Sequence, residues 1–144
     1  MSSKIDRLKA LANEISSYEI ERKKNLKRLK ELFAQLKLSG KVMDFKELFD
    51  FKAINLSGIS LNQKTIGKIS EGKYAQIIAI TYIEEDGKKR AKNISLGYFG
   101  RVENLDEVLK DQIVEFILRW RLEKSFMGVD RYRTLLKNFD RDET

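Results

Sequence analysis

The sequence predicts an α+β fold: a long N-terminal helix, then a three-stranded antiparallel β-sheet packed on a C-terminal helix. Three observations carry this. Apolar residues recur at three- and four-residue steps from Ile5 to Leu36, the spacing of one helical face. A run rich in Ile, Tyr and Thr then alternates with period two over residues 73–84, and a turn sequence and a second extended run follow it. Helical spacing returns from Leu105 to Trp120.

The first helix is predicted over residues 2–38. Ile5, Leu8, Leu11, Ala12, Ile15, Leu26, Leu29, Phe33 and Leu36 form its stripe, and neither Gly nor Pro interrupts it before Gly40. Ser2 or Ser3 suits its N-cap, since a hydroxyl accepts from the free amides of a first turn. Some 37 helical residues span about 55 Å, more than the diameter of a small domain. Such a helix projects or pairs in a coiled coil. Glu19, Arg22 and Lys23 interrupt the seam, so a bend near Ser16–Ser17 is expected. The chain therefore divides into a helical segment, 1–39, and an α+β domain, 40–144. In the latter, residues 44–54 predict a short amphipathic helix capped by Asp44, with 55–62 as loop or short extended chain. The sheet is expected over 64–100, with a first strand at 64–70, a turn at Glu71-Gly72 and a hairpin closed by Glu85-Asp86-Gly87-Lys88. A helix at 104–127 follows, capped by Asn104 with Glu107 three residues on, and stopped by Gly128. A short helix at 130–139 and a frayed tail complete the chain.

Composition excludes several function classes. The 144 residues include no Cys and no His. Disulfides, thiolate nucleophiles and zinc–thiolate sites are therefore absent, as are the commonest general base and metal ligand. Carboxylates remain, but Glu84, Glu85 and Asp86 lead into the hairpin glycine, and Asp106, Glu107 and Asp111 suit the positive end of a helix dipole. The expectation is a binding module and not an enzyme, with no catalytic residue, metal or cofactor; a carboxylate-metal nuclease ranks last. No window holds the roughly 18 apolar residues a bilayer span needs, and residues 1–11 lack the apolar core of a secretory signal. A cytoplasmic protein with no membrane partner is expected. Charged residues at 35%, with heavy use of Lys, Glu and Ile, resemble thermophile proteomes.

The net charge is +7, unevenly spread. Residues 1–39 hold ten basic and five acidic side chains, and residues 64–101 eight and four, whereas 102–144 hold eight and ten. Local basic fields of this kind attract polyanions. Two sets stand out. In the first helix, Arg22, Lys23, Lys24, Lys27, Arg28 and Lys30 have little acidic compensation; they form either a phosphate-neutralising face or a solvated one. In the hairpin, Lys88, Lys89, Arg90 and Lys92 precede Asn93, Ser95, Tyr98 and Arg101. Lys89, Asn93 and Ser95, with Thr81 opposite, suit a sheet face entering a DNA groove; lysines that guard an edge strand against aggregation are the plainer alternative. Tyr74, Tyr82, Tyr98 and Phe99 are more simply core or cross-strand pairs than base-stacking platforms. The Phe45–Phe51 cluster and Trp120 read as core.

Gly72-Lys73-Tyr74-Ala75, Asp86-Gly87-Lys88-Lys89-Arg90, Ser95-Leu96-Gly97-Tyr98-Phe99 and Leu105-Asp106-Glu107 together resemble the small arm-type DNA-binding domains of tyrosine integrases. The resemblance spans about residues 64–120 and implies DNA reading by a three-stranded sheet backed by one helix. The first helix has no counterpart there, and no integrase catalytic domain is present. The same pattern is similar to segments of small archaeal virus and plasmid proteins. The function expected is nucleic-acid binding, most directly to double-stranded DNA, through the sheet face and the basic helix. Lys88, Lys89, Arg90, Lys92, Arg101, Arg22, Lys23, Lys27, Arg28 and Lys30 would meet phosphates, and Asn93 and Ser95 base edges. The alternative is a regulatory interaction module that forms homo-oligomers, or docks on a partner protein, through its N-terminal helix.

Overall fold

In a computed structural model, which describes residues 3–70 and 73–140 (for Ile15 and Ser16, the backbone only), the chain is α+β. Helix α1 (Lys4–Gln35) is followed by strands β1 (Ala53–Ser57), β2 (Tyr74–Glu85) and β3 (Lys88–Arg101), then helix α2 (Glu107–Asp140). Single 3-10 turns lie at Leu38–Gly40, Phe45–Asp50 and Val102–Asn104.

Helix α1 begins where the sequence places it. The Ser3 hydroxyl accepts from the Asp6 amide while the Asp6 carboxylate accepts from the Ser3 amide, a reciprocal capping box. The helix continues through Ser16 and Ser17 without interruption and ends at Gln35; two residues on, the left-handed backbone of Lys37 turns the chain. The charged residues at its middle do not break it because two of the side chains around them, Tyr18 and Arg22, bond across to α2.

The sheet is antiparallel, with strand order β1-β2-β3. Its hairpin closes over Asp86 and Gly87, both with positive φ, as a twisted two-residue turn requires. The first strand is displaced from its expected position. Residues 64–67 form turns, with Gly67 at positive φ, and Ile69 makes only an isolated antiparallel bridge with Ile59, both Ile66 and Ile69 being exposed. Ala53–Ser57 pairs with β2 instead, because Ile54 can be fully buried opposite Ala79. The predicted helix at 44–54 is correspondingly shorter: a 3-10 turn over Phe45–Asp50, capped by the Asp44 carboxylate accepting from the Lys46 amide.

Helix α2 also differs from expectation. Its first-turn cap is Asp106, whose carboxylate accepts from the Leu109 amide at 2.7 Å; Asn104 lies in the preceding 3-10 turn. Gly128 does not end it. The helix runs on to Asp140, absorbing what was expected as a separate helix at 130–139. One interior glycine costs only about 1 kcal/mol, and contacts of Phe126 and Asp130 with Tyr18 hold the helix on both sides of it. Glu71, Gly72 and the tail after Asp140, for which a turn and fraying are expected, lie outside the described residues, as does Ser2.

One core joins these elements. Leu29, Leu32 and Leu36 of α1, Leu48, Ile54, Ala75, Ile77, Ala79 and Leu96 of the middle segment, and Ile113, Phe116, Ile117 and Trp120 of α2 are all buried. The Trp120 indole donates to the Leu48 carbonyl at 2.8 Å, so its one polar group is satisfied in the core. Phe45, Phe49 and Phe51 pack at the edge of the same core. Val108, in phase with the apolar spacing from Leu105 to Trp120, is exposed.

Candidate nucleic-acid interface

Strand alternation assigns every sheet residue to one of two faces. Ala75, Ile77 and Ala79 of β2 and Leu96 of β3 point at the helical layer and are buried. The opposite face carries Tyr74, Gln76, Ile78, Ile80, Tyr82 and Glu84 on β2. Its cross-strand partners on β3 are Arg101, Tyr98, Ser95, Asn93, Ala91 and Lys89, in that order. On the β1 side lie Ala53, Asn55 and Ser57. No described element covers this outer face: Tyr74, Tyr82 and Tyr98 are exposed, the last at 61%.

Register decides which expected site residues meet. Lys89, Asn93, Ser95 and Arg101 share the outer face. Thr81 does not; it pairs with Lys92 on the inner side, and the residue opposite Asn93 is Ile80. Lys88, Arg90 and Lys92 also belong to the inner side, but near the end of the hairpin, where every residue of β3 from Lys88 to Asn93 is exposed. Arg90 lies 3.6 Å from Glu85, and Lys89 pairs across the strands with Glu84. The hairpin tip is thus less positive than its run of cations suggests.

The outer face is internally organised. Tyr74 and Tyr98 stack with centroids 6.4 Å apart and planes inclined by 23°. The Arg101 guanidinium lies 5.9 Å from the Tyr74 ring centre and the Lys89 ammonium 5.8 Å from that of Tyr82. Between the two pairs the Gln76 amide donates to the Ser95 hydroxyl at 2.8 Å. Flat rings flanked by cations, with amide and hydroxyl groups between them, are the kinds of group that stacking on bases, pairing with phosphates and bonding to base edges require. Two features shape this part of the sheet. Register shifts lie between Ala75 and Gln76 and between Ile77 and Ile78. Gly97 stands where a β-carbon would come within 3.0 Å of Leu38 and Phe99 side chains.

The basic helix set separates into two groups. Arg22 and Arg28 face α2. Arg22 donates to Glu123 at 2.8 Å and also pairs with Asp130. Arg28 pairs with Glu115 at 2.9 Å and with Glu31. These bonds hold both guanidiniums more firmly protonated than usual: for Arg22 the Glu123 bond is the larger cause, and for Arg28 the Glu115 bond. The same contact with Arg28 lowers the Glu115 carboxyl from its ordinary value, against a smaller opposing effect of burial. Both arginines are committed to the interhelical seam and are withdrawn from the candidate interface. Lys23, Lys27 and Lys30 are exposed, with the Lys30 ammonium 5.6 Å from the Phe45 ring centre. They stand on the helical layer, which covers the inner face of the sheet, so they do not join the outer-face residues in one surface.

Tyr74 and Tyr98 form a stacked pair between strands, as a structural role predicts, but they do so in solvent and not in the core. The alternation of β2 already grouped Tyr74, Gln76, Ile78, Ile80 and Tyr82; what it lacked was which face the helices take.

Among the described residues no group of three or more acidic side chains is placed to hold a metal ion, and no helix is long and apolar enough to cross a membrane. Comparison of the chain with protein families, with curated proteins and with solved structures finds no match.

Proposed function

We propose that this protein binds nucleic acid on the outer face of its sheet. The observation that carries the reading is that one whole sheet face is left uncovered while bearing stacked tyrosines, cations and amide groups together. Lys89 and Arg101 contribute phosphate contacts; Asn93, Ser95 and Gln76 offer donors and acceptors to base edges. Lys88, Arg90 and Lys92 extend the contact along the hairpin end. Duplex DNA is the first ligand to test, because a two- or three-stranded sheet fits a major groove about 12 Å wide and the hairpin residues resemble integrase arm-type domains. The exposed tyrosines favour a second reading, in which unpaired bases stack on Tyr74, Tyr98 and Tyr82.

The test is a titration of labelled duplex and single-stranded oligonucleotides across a salt series. Binding should weaken steeply with salt. Lys89→Glu with Arg101→Glu should lower affinity and flatten the salt slope by roughly two phosphate contacts. Tyr74→Ala with Tyr98→Ala should cost single-strand binding about 1–3 kcal/mol per stacked base and leave duplex binding nearly unchanged if the duplex is the ligand. An absence of binding at low salt to either form would overturn the proposal.

A further inference from the structure

The two long helices extend past the domain they help to build. They run antiparallel, and their bonded pairs mark a regular seam: Gln35 with Gln112, Arg28 with Glu115, Asn25 with Arg119, Arg22 with Glu123 and Tyr18 with Asp130. Asn25 and Glu123 are almost fully buried in that seam. Past Tyr18 on α1, and past Asp130 on α2, the environment changes. Every residue in 4–14 and every residue in 131–140 is exposed. At 1.5 Å per residue these ends project by about 15 Å or more.

The projecting ends are not polar. Ile5, Leu8 and Leu11 on α1, and Tyr132, Leu135, Leu136 and Phe139 on α2, are each 53–67% exposed. Their spacing is the three- and four-residue step of a buried helical stripe. The helix pair leaves both stripes more than half exposed, so a further surface is needed to cover them. Five aliphatic and two aromatic side chains exposed to this degree present several hundred Å² of apolar surface. That is at least the size of the largest apolar patch on an ordinary monomer, roughly 300–600 Å², and of the same order as what one partner contributes to a stable interface, about 800 Å².

We propose that the helical ends are a homodimer interface, in which two copies bring their projecting helix pairs together as an antiparallel four-helix bundle. A second copy fits this surface for two reasons. Both helices of the tip carry an apolar stripe, so a two-fold axis sets each stripe against an equivalent one, as a closed isologous contact requires. The tip charge is mixed on each helix: Lys4, Arg7 and Lys9 stand with Asp6 and Glu14 on α1, and Arg131, Arg133 and Lys137 with Asp130 and Asp140 on α2. Opposite signs can meet across an antiparallel contact, and no strong field of one sign drives two copies apart. The domain beyond the stem is untouched, so each sheet stays free on its own side.

The test is the mass of the full chain in solution, by sedimentation or light scattering, over a concentration series that reaches roughly 100 μM. The expected result is twice the 16.8 kDa chain mass, falling towards a single chain on dilution. Leu8→Glu with Leu136→Glu should weaken self-association by roughly 100-fold or more, with circular dichroism and thermal midpoint of the diluted protein unchanged, since both side chains are exposed in the single chain. A milder pair, Leu8→Ser with Leu136→Ser, serves if the charged one fails to fold. A parent that stays monomeric to the highest concentration overturns the proposal, as does a dimer that survives both pairs. A monomeric parent that instead binds anionic lipid vesicles overturns it too and gives the face to a membrane surface.

Discussion

At Gly58 the backbone has φ of +88°, and a β-carbon there would lie 2.2 Å from the Tyr74 carbonyl oxygen. Neither atom can retreat without moving a strand, so Gly58→Ala should cost about 3 kcal/mol or more, combining left-handed strain with a backbone clash. Gly67 has a similar φ of +84° but nothing within 4 Å, and Gly67→Ala should cost only about 1–2 kcal/mol. Urea midpoints of the two variants check the difference; equal losses would show that φ alone decides. Glu115 gives a pH dependence. Its carboxyl is held below the ordinary value of 4.5, first by the Arg28 bond. A depressed folded-state pKa adds stability that is complete above the ordinary carboxylate range and is lost as pH falls through the lowered value. Glu115→Gln should therefore be less stable than the parent at pH 7, by about 1 kcal/mol for a partly exposed pair. The gap should close once the medium is acid enough to protonate Glu115 in the parent. A gap independent of pH would assign the loss to packing.

Helix α2 shows how an element can overrule a local signal. Gly128 is an ordinary helix stop in sequence, yet it sits inside 34 helical residues and nothing lies within 4 Å of an added β-carbon. Gly128→Ala should stabilise the protein by about 0.5–1 kcal/mol, because alanine loses less backbone entropy on entering a helix. A true stop would make the same change neutral or harmful, so a thermal unfolding scan decides between them. Strand β1 illustrates the reverse, a weak local signal promoted by packing. Ala53–Ser57 is only five residues long, but Ile54 fills a fully buried place opposite Ala79 and Leu56 packs against the same core. Ile54→Ala should cost about 2–5 kcal/mol. Ile66→Ala, in the segment that alternates without forming a strand, should stay within about 0.5 kcal/mol.

Over the whole molecule, protection from hydrogen exchange should follow packing. Amides of α1 after Tyr18, of α2 before Asp130 and of the inner part of β2 belong to the single core and should exchange only by global opening. In dilute protein the helical ends, 4–14 and 131–140, and the hairpin end, 84–92, should exchange far faster, since their hydrogen bonds are exposed to water. Uniform protection along α1 in dilute, monomeric protein would contradict this layout. The same layout separates the surfaces: an open sheet face on one side, exposed lysines of the helical layer on another, and an apolar tip at the end of the stem.

The sequence by itself determined the α+β class, the order of long helix, hairpin and second helix, a serine cap at the start of α1 and the Asp86-Gly87 turn. Each rests on periodicity or on a backbone requirement that a few neighbouring residues express. It also determined which β2 residues share a face, because alternation is local. Tertiary structure decided the rest. Which sheet face the helices cover depends on how Ala75, Ile77 and Ala79 pack against residues distant in sequence, a long-range matter. Which cations remain available depends on partners about a hundred residues away: Arg22 finds Glu123 and Arg28 finds Glu115, whereas Lys23 and Lys27 stay exposed. The first strand was misplaced for the same reason, since a strand exists only where its hydrogen bonds and apolar face find a neighbour, and residues 53–57 found one.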